Sequence, residues 1–429
     1  MNRIIKGIQH GLQGTIFVSS DKSLTHRALL FASLASGESI IENPLLAGDT
    51  LSTIHCLQQL GIHIDVTPAK IHVIGNTWQK PLQPLNFGNT GTGIRLMSGI
   101  LAGLPFDTII DASEQMKRRP MKRVLDPLLQ MGAMIQSEES HLPWHIFPST
   151  LHGIQYNMTV ASAQVKSAIL LAGLFAKTPT TIIEHASTRD HTERMMQALG
   201  IEIIRNQQTI TLIPNTLPKA FKMDIPGDFS SASFWIASAL LIPNSNLYIQ
   251  NVNINPTRTG FLDVLLAMGA IIEINNVHSI YNEQVGDIRI KSSELHGITV
   301  AGDTVVRMID EFPIFAIVAT QALGETIVQD AQELRVKETD RIATICTELR
   351  KMGITIQEKK DGFVLSGKQK LHPANMQSHN DHRLAMSLAV ASLLASGTST
   401  IEDASCVSDS YPKFWDTFNF ITINEKIIK

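Results

Sequence analysis

The sequence predicts an α/β protein of six similar units, three in each of two domains, and three observations carry the prediction. Six times a polar cluster precedes a helix-length run of small and apolar residues, then a short turn, then a strand-like segment. The runs are Arg27 to Ala35, Arg95 to Leu104, Ser167 to Ala176, Phe234 to Leu241, Phe315 to Leu323 and Leu384 to Ala395. The strands that follow read ESIIENP, DTIIDAS, TTIIEHA, NLYIQNV, ETIVQDA and TSTIEDA. A second signal interleaves with the first: CLQQLGIHI, PLLQMGAMI, MQALGIEII, LLAMGAIIE and LRKMGITIQ each end a helix on glycine and restart as a strand. These glycines, Gly61, Gly132, Gly200, Gly269 and Gly353, are separated by 71, 68, 69 and 84 residues, so six units of about seventy account for the chain. Length is the third observation: 429 residues are too many for one core, and 44% hydrophobic residues suffice for two.

The first residues hold two short strand-like pieces, Arg3 to Lys6 and Thr15 to Val18, around Gly7, Gly11 and Gly14. They are too sparse for a unit of their own. In a cyclic arrangement of repeats they supply the strands that the last repeat lacks. Unit one then holds SSDKSLTHRALL, with Lys22, Ser23 and Arg27 in the first turns of a predicted helix and Ser23 and Arg27 on one face. Cations at a helix N-terminus oppose the dipole, so their placement calls for a compensating anion. A solvated surface turn is the plainer alternative.

Unit two opens with FGNTGTGIR. Its glycines, Gly88, Gly91 and Gly93, are expected to take positive φ and let the backbone approach a bound group. At a helix start such a turn points unpaired N–H groups at a phosphate or carboxylate. It is neither a P-loop nor a dinucleotide turn, and a simple tight turn stays open as a reading. Next comes EQMKRRPMKRVL, where five of the seven residues from Lys117 to Arg123 are basic and Pro120 suits a helix start. Without aromatic interleaving this reads as the electropositive end of a small-anion pocket, Arg119 included, rather than a nucleic-acid patch. Lys117, Lys122 and Arg123 are equally well read as solvated charge.

In unit three, ASAQVKSAILLAG puts Ser162, Gln164 and Lys166 at a helix entrance, and STRDHTERMM puts Arg189 at a second. Ser162 and Gln164 are neutral donors suited to hydroxyls or phosphate oxygens, although Ser162 also reads as an ordinary N-cap. The repeat restarts at IPGDFSSASFWIAS, which sets the boundary near Pro226. The expected domains are 19–225 and 226–429, the second including 1–18. Asp228 reads as a capping and hinge residue and Arg258 as a surface cation.

Unit five is densest in chemistry. MIDEFP places Asp310 and Glu311 at a helix start, and LRVKETDRI places Lys337, Glu338 and Arg341 on a predicted helix, Lys337 and Arg341 sharing a face. A surface salt-bridge ladder explains the same spacing. Unit six gives SHNDHRLAMSLA, with Asp381, His382 and Arg383 at a helix entrance. Tyr411, Phe414, Trp415, Phe418 and Phe420 are expected to pack as core.

A net charge of −3 gives no global field toward nucleic acid or membrane, so anion binding has to be local. Cys56, Cys346 and Cys406 have no metal-like spacing and suit a reducing compartment as small buried hydrophobes. MNRIIKGIQHG lacks the apolar stretch of a signal peptide, and no run has the span of a membrane helix. A cytoplasmic protein is expected, with neither metal nor cofactor. Lys22, Arg27, Arg119, Arg189, Lys337, Arg341 and Arg383 all fall at or near helix entrances. Two three-unit lobes facing each other would enclose them in a cationic cleft for a multiply anionic small substrate, with Asp310 and Glu338 as acid and base.

Between Lys22 and Phe414 the sequence resembles the enolpyruvyl transferases, and among them the branch acting on shikimate 3-phosphate. The resemblance rests on DKSLTHRALL, GNTGTGIR, RRPM, SAQVKSA, RVKETDR and NDHRLAM, in family order. It implies two inverted α/β domains, each of three βαβαββ units, joined by a two-stranded hinge and closing on substrate. The implied reaction carries the enolpyruvyl group of phosphoenolpyruvate to the 5-hydroxyl of shikimate 3-phosphate and releases phosphate. By the same resemblance Glu338 and Lys22 move protons and Asp310 orients and deprotonates the attacking hydroxyl. Arg119, Lys22, Gln164 and the Gly91 backbone hold phosphoenolpyruvate with Arg341 and Arg383 on its carboxylate, while Lys22, Ser23, Arg27, Ser162, Gln164, Arg189, Asp310 and Lys337 hold shikimate 3-phosphate. No cofactor, nucleic acid or membrane is implied, and a monomer is expected. Some positions depart from the better-known branch: Asp409 stands for a lysine, Glu333 for an asparagine and Ala163 for a serine. Leu96 and RDHTE resemble a second bacterial branch, in which Arg189 takes over part of phosphate binding. The nearest rival, transfer to UDP-N-acetylglucosamine, typically carries a cysteine in the loop that here reads DASEQMKRRP. A non-catalytic repeat scaffold would leave the charged helix entrances unexplained.

Overall fold

The structure is a computed structural model that describes residues 1–214 and 216–422; the last part of the expected second domain, 423–429, lies outside the described residues. The chain divides into two compact units. One comprises Ser20–Ile225 with Ser279–Glu283, the other Met1–Ser19, Pro226–His278 and the residues from Gln284 onward. Each has its own apolar core.

All six predicted apolar runs are helical: Lys22–Leu34, Gly91–Leu101, Ala163–Gly173, Phe229–Leu241, Phe312–Gln321 and His382–Leu394. Being small or apolar on nearly every side, they have no water-facing stripe and lie inside their units; Phe229–Leu241 is buried as far as Leu240. Close approach of two helices needs small residues at the contact. At Gly99 a Cβ would lie 2.2 Å from the Ala168 carbonyl oxygen, so glycine is what lets Gly91–Leu101 reach Ala163–Gly173. The polar residue before each run acts as the cap. Asp21, Thr90, Ser162, Asp228 and Asp381 accept first-turn N–H groups with their side chains; the fifth helix starts Phe312-Pro313 instead, with proline where a missing N–H costs nothing.

In the first unit every sheet has four strands in one pattern. Leu85–Asn86 runs parallel to Thr108–Asp111, which pairs antiparallel with His141–Phe147 and that strand with Met134–Glu138. Gln155–Asn157, Thr180–Ile183, Thr209–Leu212 and Ile203–Asn206 repeat it. In the remaining sheet the parallel edge beside Gly37–Glu42 is filled by Lys222–Asp224 from the far end of the unit, which closes the arrangement on itself. The five helix-ending glycines of the second signal all have positive φ, from +81° to +99°.

The second unit repeats the pattern twice, around Asn246–Asn253 and Glu325–Val328, and ends with a three-stranded sheet, Arg3–Lys6, Thr398–Glu402 and Asn375–Gln377. The expectation that both N-terminal pieces complete the last repeat holds for Arg3–Lys6, which pairs antiparallel with Thr398–Glu402. It fails for Gln13–Phe17. That strand covers the open parallel edge of Asn246–Asn253 in the fourth repeat, the place that Lys222–Asp224 takes in the first. Trp235 stacks on Phe414 with ring centroids 5.0 Å apart, and Tyr411 and Phe418 join them. Phe420, expected in this core, is 67% exposed instead, because it falls on the solvent side of Phe414–Thr422.

Candidate active site

Within the first unit the predicted cations gather at helix entrances. Lys22 is the first residue of Lys22–Leu34, and its Nζ lies 2.9 Å from Asp49 Oδ2 at the start of Gly48–Gln59. Arg27, one turn on, is buried. Its Nε donates to Thr192 Oγ1 at 2.7 Å, Nη1 to the Ser23 carbonyl at 3.0 Å and Nη2 to Ser167 Oγ at 3.0 Å. These acceptors are neutral, so burial pulls the guanidinium pKa down to about 10, with nearby Glu193, Asp21 and Glu283 opposing and Arg189 adding to the fall. A buried cation held only by neutral oxygens favours an arriving anion. Lys166, by contrast, is already paired: its Nζ sits 2.9 Å from Glu184 and 2.6 Å from Glu193, out of solvent.

The Gly-rich turn behaves differently from the expectation. Only Gly88 has positive φ, +56°; Gly91 and Gly93 are in the first turn of Gly91–Leu101, whose N-cap Thr90 accepts from the Gly93 N–H. Their lack of a side chain serves proximity rather than backbone strain. A Cβ on Gly91 would lie 2.8 Å from Arg95 Nη1 and 2.9 Å from Arg119 Nη1, so both guanidiniums border this first turn. Arg95, buried, also donates to Gln164 Oε1 at 2.8 Å and to the carbonyls of Gly91 and Pro120 at 3.3 Å. Gln164 passes the chain on to Thr92 Oγ1 at 2.9 Å. One residue thus joins the three motifs GNTGTGIR, RRPM and SAQVKSA. Pro120 does not start a helix: Met121 is the N-cap of Lys122–Gln130. Ser162 caps Ala163–Gly173 with its Oγ 3.4 Å from the Val165 N–H. Lys117 and Lys122 are met by local carboxylates, Asp111 and Glu114 for one and Asp126 for the other.

In the second unit the charges cluster more tightly. Arg341 is fully buried, its Nε 2.8 Å from Asp381 Oδ2, its Nη2 2.7 Å from Glu338 Oε2 and its Nη1 3.4 Å from Asp310 Oδ1. Burial works against its charge, but three carboxylates outweigh that and raise its pKa. Burial likewise pushes the Asp381 carboxyl up, and the Arg341 guanidinium more than reverses it, holding the carboxyl below the usual range. Asp310 also faces Arg383, 3.6 Å from Oδ2 to Nη2, and Arg383 Nη1 lies 3.9 Å from Glu311 Oε1. Glu311 accepts the Ser230 hydroxyl, and Ser230 accepts from Arg258, which pairs with Asp228 at 2.5 Å. Arg258 is therefore no surface cation: it is 1% exposed and anchors the buried end of this charged row.

The single helix expected across LRVKETDRI is absent. Gln332–Val336 is a 3-10 turn, Lys337 has extended backbone, and the helix Arg341–Lys351 starts only after Asp340, whose carboxylate caps the Ala343 N–H. Asp340 won over helical continuation because an acceptor at that position satisfies an orphan N–H. Glu338 and Arg341 still meet, but through the turn before the helix. The sequence assigns no role to Asp49, His26 or Arg95, names Lys166 and Asp381 at helix entrances without their ion-pair partners, and presents Arg258 as a surface cation. Most are ordinary polar residues until their distant partners are known.

A solved enolpyruvyl transferase, NikO from Streptomyces tendae, shares the fold at TM-score 0.79 with 16% identity, covering 97% of this chain and 96% of its own. A family model described as EPSP synthase (3-phosphoshikimate 1-carboxyvinyltransferase) matches residues 7–418. The chain is 47% identical to the 3-phosphoshikimate 1-carboxyvinyltransferase of Thermodesulfovibrio yellowstonii over 98% of its length and 100% of the relative's. It is 45% identical to that of Brevibacillus brevis, over 94% and 96%. The solved EPSP synthase from Acinetobacter baumannii superposes at TM-score 0.89 with 36% identity, covering 99% of this chain and 98% of that one. The chain belongs to the EPSP synthase family, enzymes that transfer the enolpyruvyl group of phosphoenolpyruvate to shikimate 3-phosphate in the shikimate pathway.

Proposed function

We propose that the first unit's helix entrances hold shikimate 3-phosphate and the donor's phosphate, and that the second unit's charged row holds the donor's carboxylate and moves the protons. Arg27, Ser23, Ser162, Gln164 and Arg189, with Lys337 from the second unit, take the acceptor. Arg27 supplies the anion demand: a buried guanidinium whose partners are neutral. Lys22, Arg119 and the first-turn amide of Gly91 take the phosphate of phosphoenolpyruvate, where N–H groups and dipole add to the charges.

The observation that carries the reading is the place of Asp310 and Glu338. Asp310 lies between Arg341 and Arg383, 3.4 and 3.6 Å away, so these two guanidiniums are already spaced for one carboxylate. Phosphoenolpyruvate's carboxylate takes that place by exchange, which releases Asp310 and Glu338 for proton work. Glu338 gives a proton to the donor's methylene carbon, the 5-hydroxyl loses its proton to Asp310, and the oxygen attacks C2. The adduct then loses phosphate as the methyl group returns a proton to Glu338; Lys22 protonates the leaving oxygen and is reprotonated at the expense of Asp310, so the hydroxyl proton leaves with the phosphate. The enzyme works as a cytoplasmic monomer on small molecules, with neither nucleic acid nor membrane as partner.

Phosphate release from phosphoenolpyruvate with shikimate 3-phosphate, run in deuterated water, tests the reading. Glu338→Gln lowers kcat by about 10²–10⁴ and stops deuterium entering the product methylene. Near-normal turnover or undiminished deuterium uptake removes Glu338 from the role. Turnover with UDP-N-acetylglucosamine in place of the shikimate acceptor would overturn the choice of acceptor.

A further inference from the structure

His26 lies in the first turns of Lys22–Leu34, wholly buried, between two partners from other helices. Its Nδ1 is 3.0 Å from Thr53 Oγ1 on Gly48–Gln59, and its Nε2 is 3.4 Å from Thr90 Oγ1, the N-cap of Gly91–Leu101. Both threonines are as buried as the histidine. Burial, with Lys22 and Arg27 adding to it against Asp49, holds the imidazole pKa at about 3, so the ring is neutral and has one donor and one acceptor nitrogen. Each ring nitrogen meets one threonine hydroxyl, so one threonine donates to the ring and the other accepts from it. Thr90 Oγ1 also accepts the Gly93 N–H at 3.1 Å, and Thr53 Oγ1 lies 3.5 Å from the Asp49 carbonyl. A Cβ on Gly93 would lie 2.5 Å from Thr53 Oγ1, so Gly48–Gln59 and the first turn of Gly91–Leu101 meet closely here.

We propose that His26 is a positioning residue for the donor phosphate, a neutral strut that ties the capped turn Thr90–Gly93 to the helix whose Asp49 holds Lys22. The proposal rests on the reading that Lys22, Arg119 and the Gly91 turn bind that phosphate. Two features bearing on the same anion, the first-turn amides of one helix and the ammonium paired at the start of another, are held at a set separation by a residue that touches neither substrate. Displacing either by a fraction of an ångström loosens a site whose catalysis depends on fixed placement.

The test is steady-state kinetics on the full chain with both substrates varied, beside thermal unfolding. His26→Ala raises KM for phosphoenolpyruvate about tenfold and leaves KM for shikimate 3-phosphate within about twofold. Thr53→Val, which keeps the packing, moves the same constant in the same direction by less, and His26→Gln, with a donor and an acceptor, recovers part of the loss. Nitrogen-15 histidine spectra show His26 neutral at pH 7, with a single protonated ring nitrogen. An unchanged KM for phosphoenolpyruvate in His26→Ala and Thr53→Val, both constants rising in step with lost stability, or a His26 ring protonated at pH 7 overturns the proposal. Arg119→Ala separates the two ideas. If it raises KM for phosphoenolpyruvate while the His26 and Thr53 variants do not, only the strut fails; if it too leaves that constant unchanged, the phosphate reading itself fails. Should His26→Ala not fold, Thr53→Val decides alone.

Discussion

Arg341 and Asp381 form a two-pronged buried pair: Nε stands 2.8 Å from one carboxylate oxygen and Nη2 3.3 Å from the other, with 1% and 0% of the side chains exposed. The same carboxylate caps the helix His382–Leu394 through the Arg383 N–H at 2.9 Å. One aspartate therefore fixes both the plane of the Arg341 guanidinium and the start of the helix that carries Arg383.

Asp381→Ala takes the two-pronged partner from a buried guanidinium, leaving it only Glu338 and Asp310, and uncaps a helix. It should cost about 3–5 kcal/mol for the broken pair and about 1 kcal/mol for the cap, read from denaturant unfolding. Because Arg341 holds the folded Asp381 carboxyl below its unfolded value, its contribution is whole above about pH 4 and lost as pH falls through the folded value. Asp381→Asn should therefore show a shallower loss of stability with acid than the parent chain. Equal slopes would mean that the pair carries no such linkage.

Arg341→Lys keeps a positive charge but not the fork. Lysine's single ammonium reaches one or two of Asp381, Glu338 and Asp310, not all three at once. The expected result is a folded protein whose kcat falls about a hundredfold or more, with near-parental circular dichroism. Retained turnover would show that placement of this cation is unimportant.

At Gly91 a methyl group meets the guanidinium ends of Arg95 and Arg119, 2.8 and 2.9 Å from an ideal Cβ. Flexible side-chain ends give way at little cost to folding. Gly91→Ala should leave the melting temperature within a few degrees and raise KM for phosphoenolpyruvate roughly tenfold, since Arg119 is pushed from its place. A rise confined to the acceptor's KM would assign this turn to shikimate 3-phosphate instead.

Arg27→Lys removes the three-way donation to Thr192, Ser167 and the Ser23 carbonyl. The acceptor's KM is expected to rise about tenfold or more, with the donor's changed little, because a lone ammonium cannot replace a planar fork. Isothermal titration with shikimate 3-phosphate alone checks it, and unchanged affinity would free Arg27 from the acceptor site.

How far the sequence could be read varies with the range of the interaction involved. Repeats, helix runs and helix-ending glycines depend on neighbours a few residues apart, and they were legible; so were Asp228, Ser162 and Asp310 at helix entrances. The KETDR stretch was misread because a helix of that spacing is locally sound, and what breaks it is Asp340 capping a helix that begins at Arg341. Arg258 was misread because nothing near it in sequence announces Asp228, thirty residues earlier, as its partner.

The pattern of residues by itself determined the number of units, the helices within them and which polar residues stand at their entrances, since hydrophobic periodicity and capping act along the chain. Tertiary structure alone decided which charges are neutralised inside the protein, as Lys166 and Arg258 are, and which, like Arg27, are buried against neutral oxygens. It also decided that Gln13–Phe17 covers the fourth repeat and that His26 spans three helices. Those outcomes depend on desolvation and on partners far away in sequence, and neither exists until the units have folded.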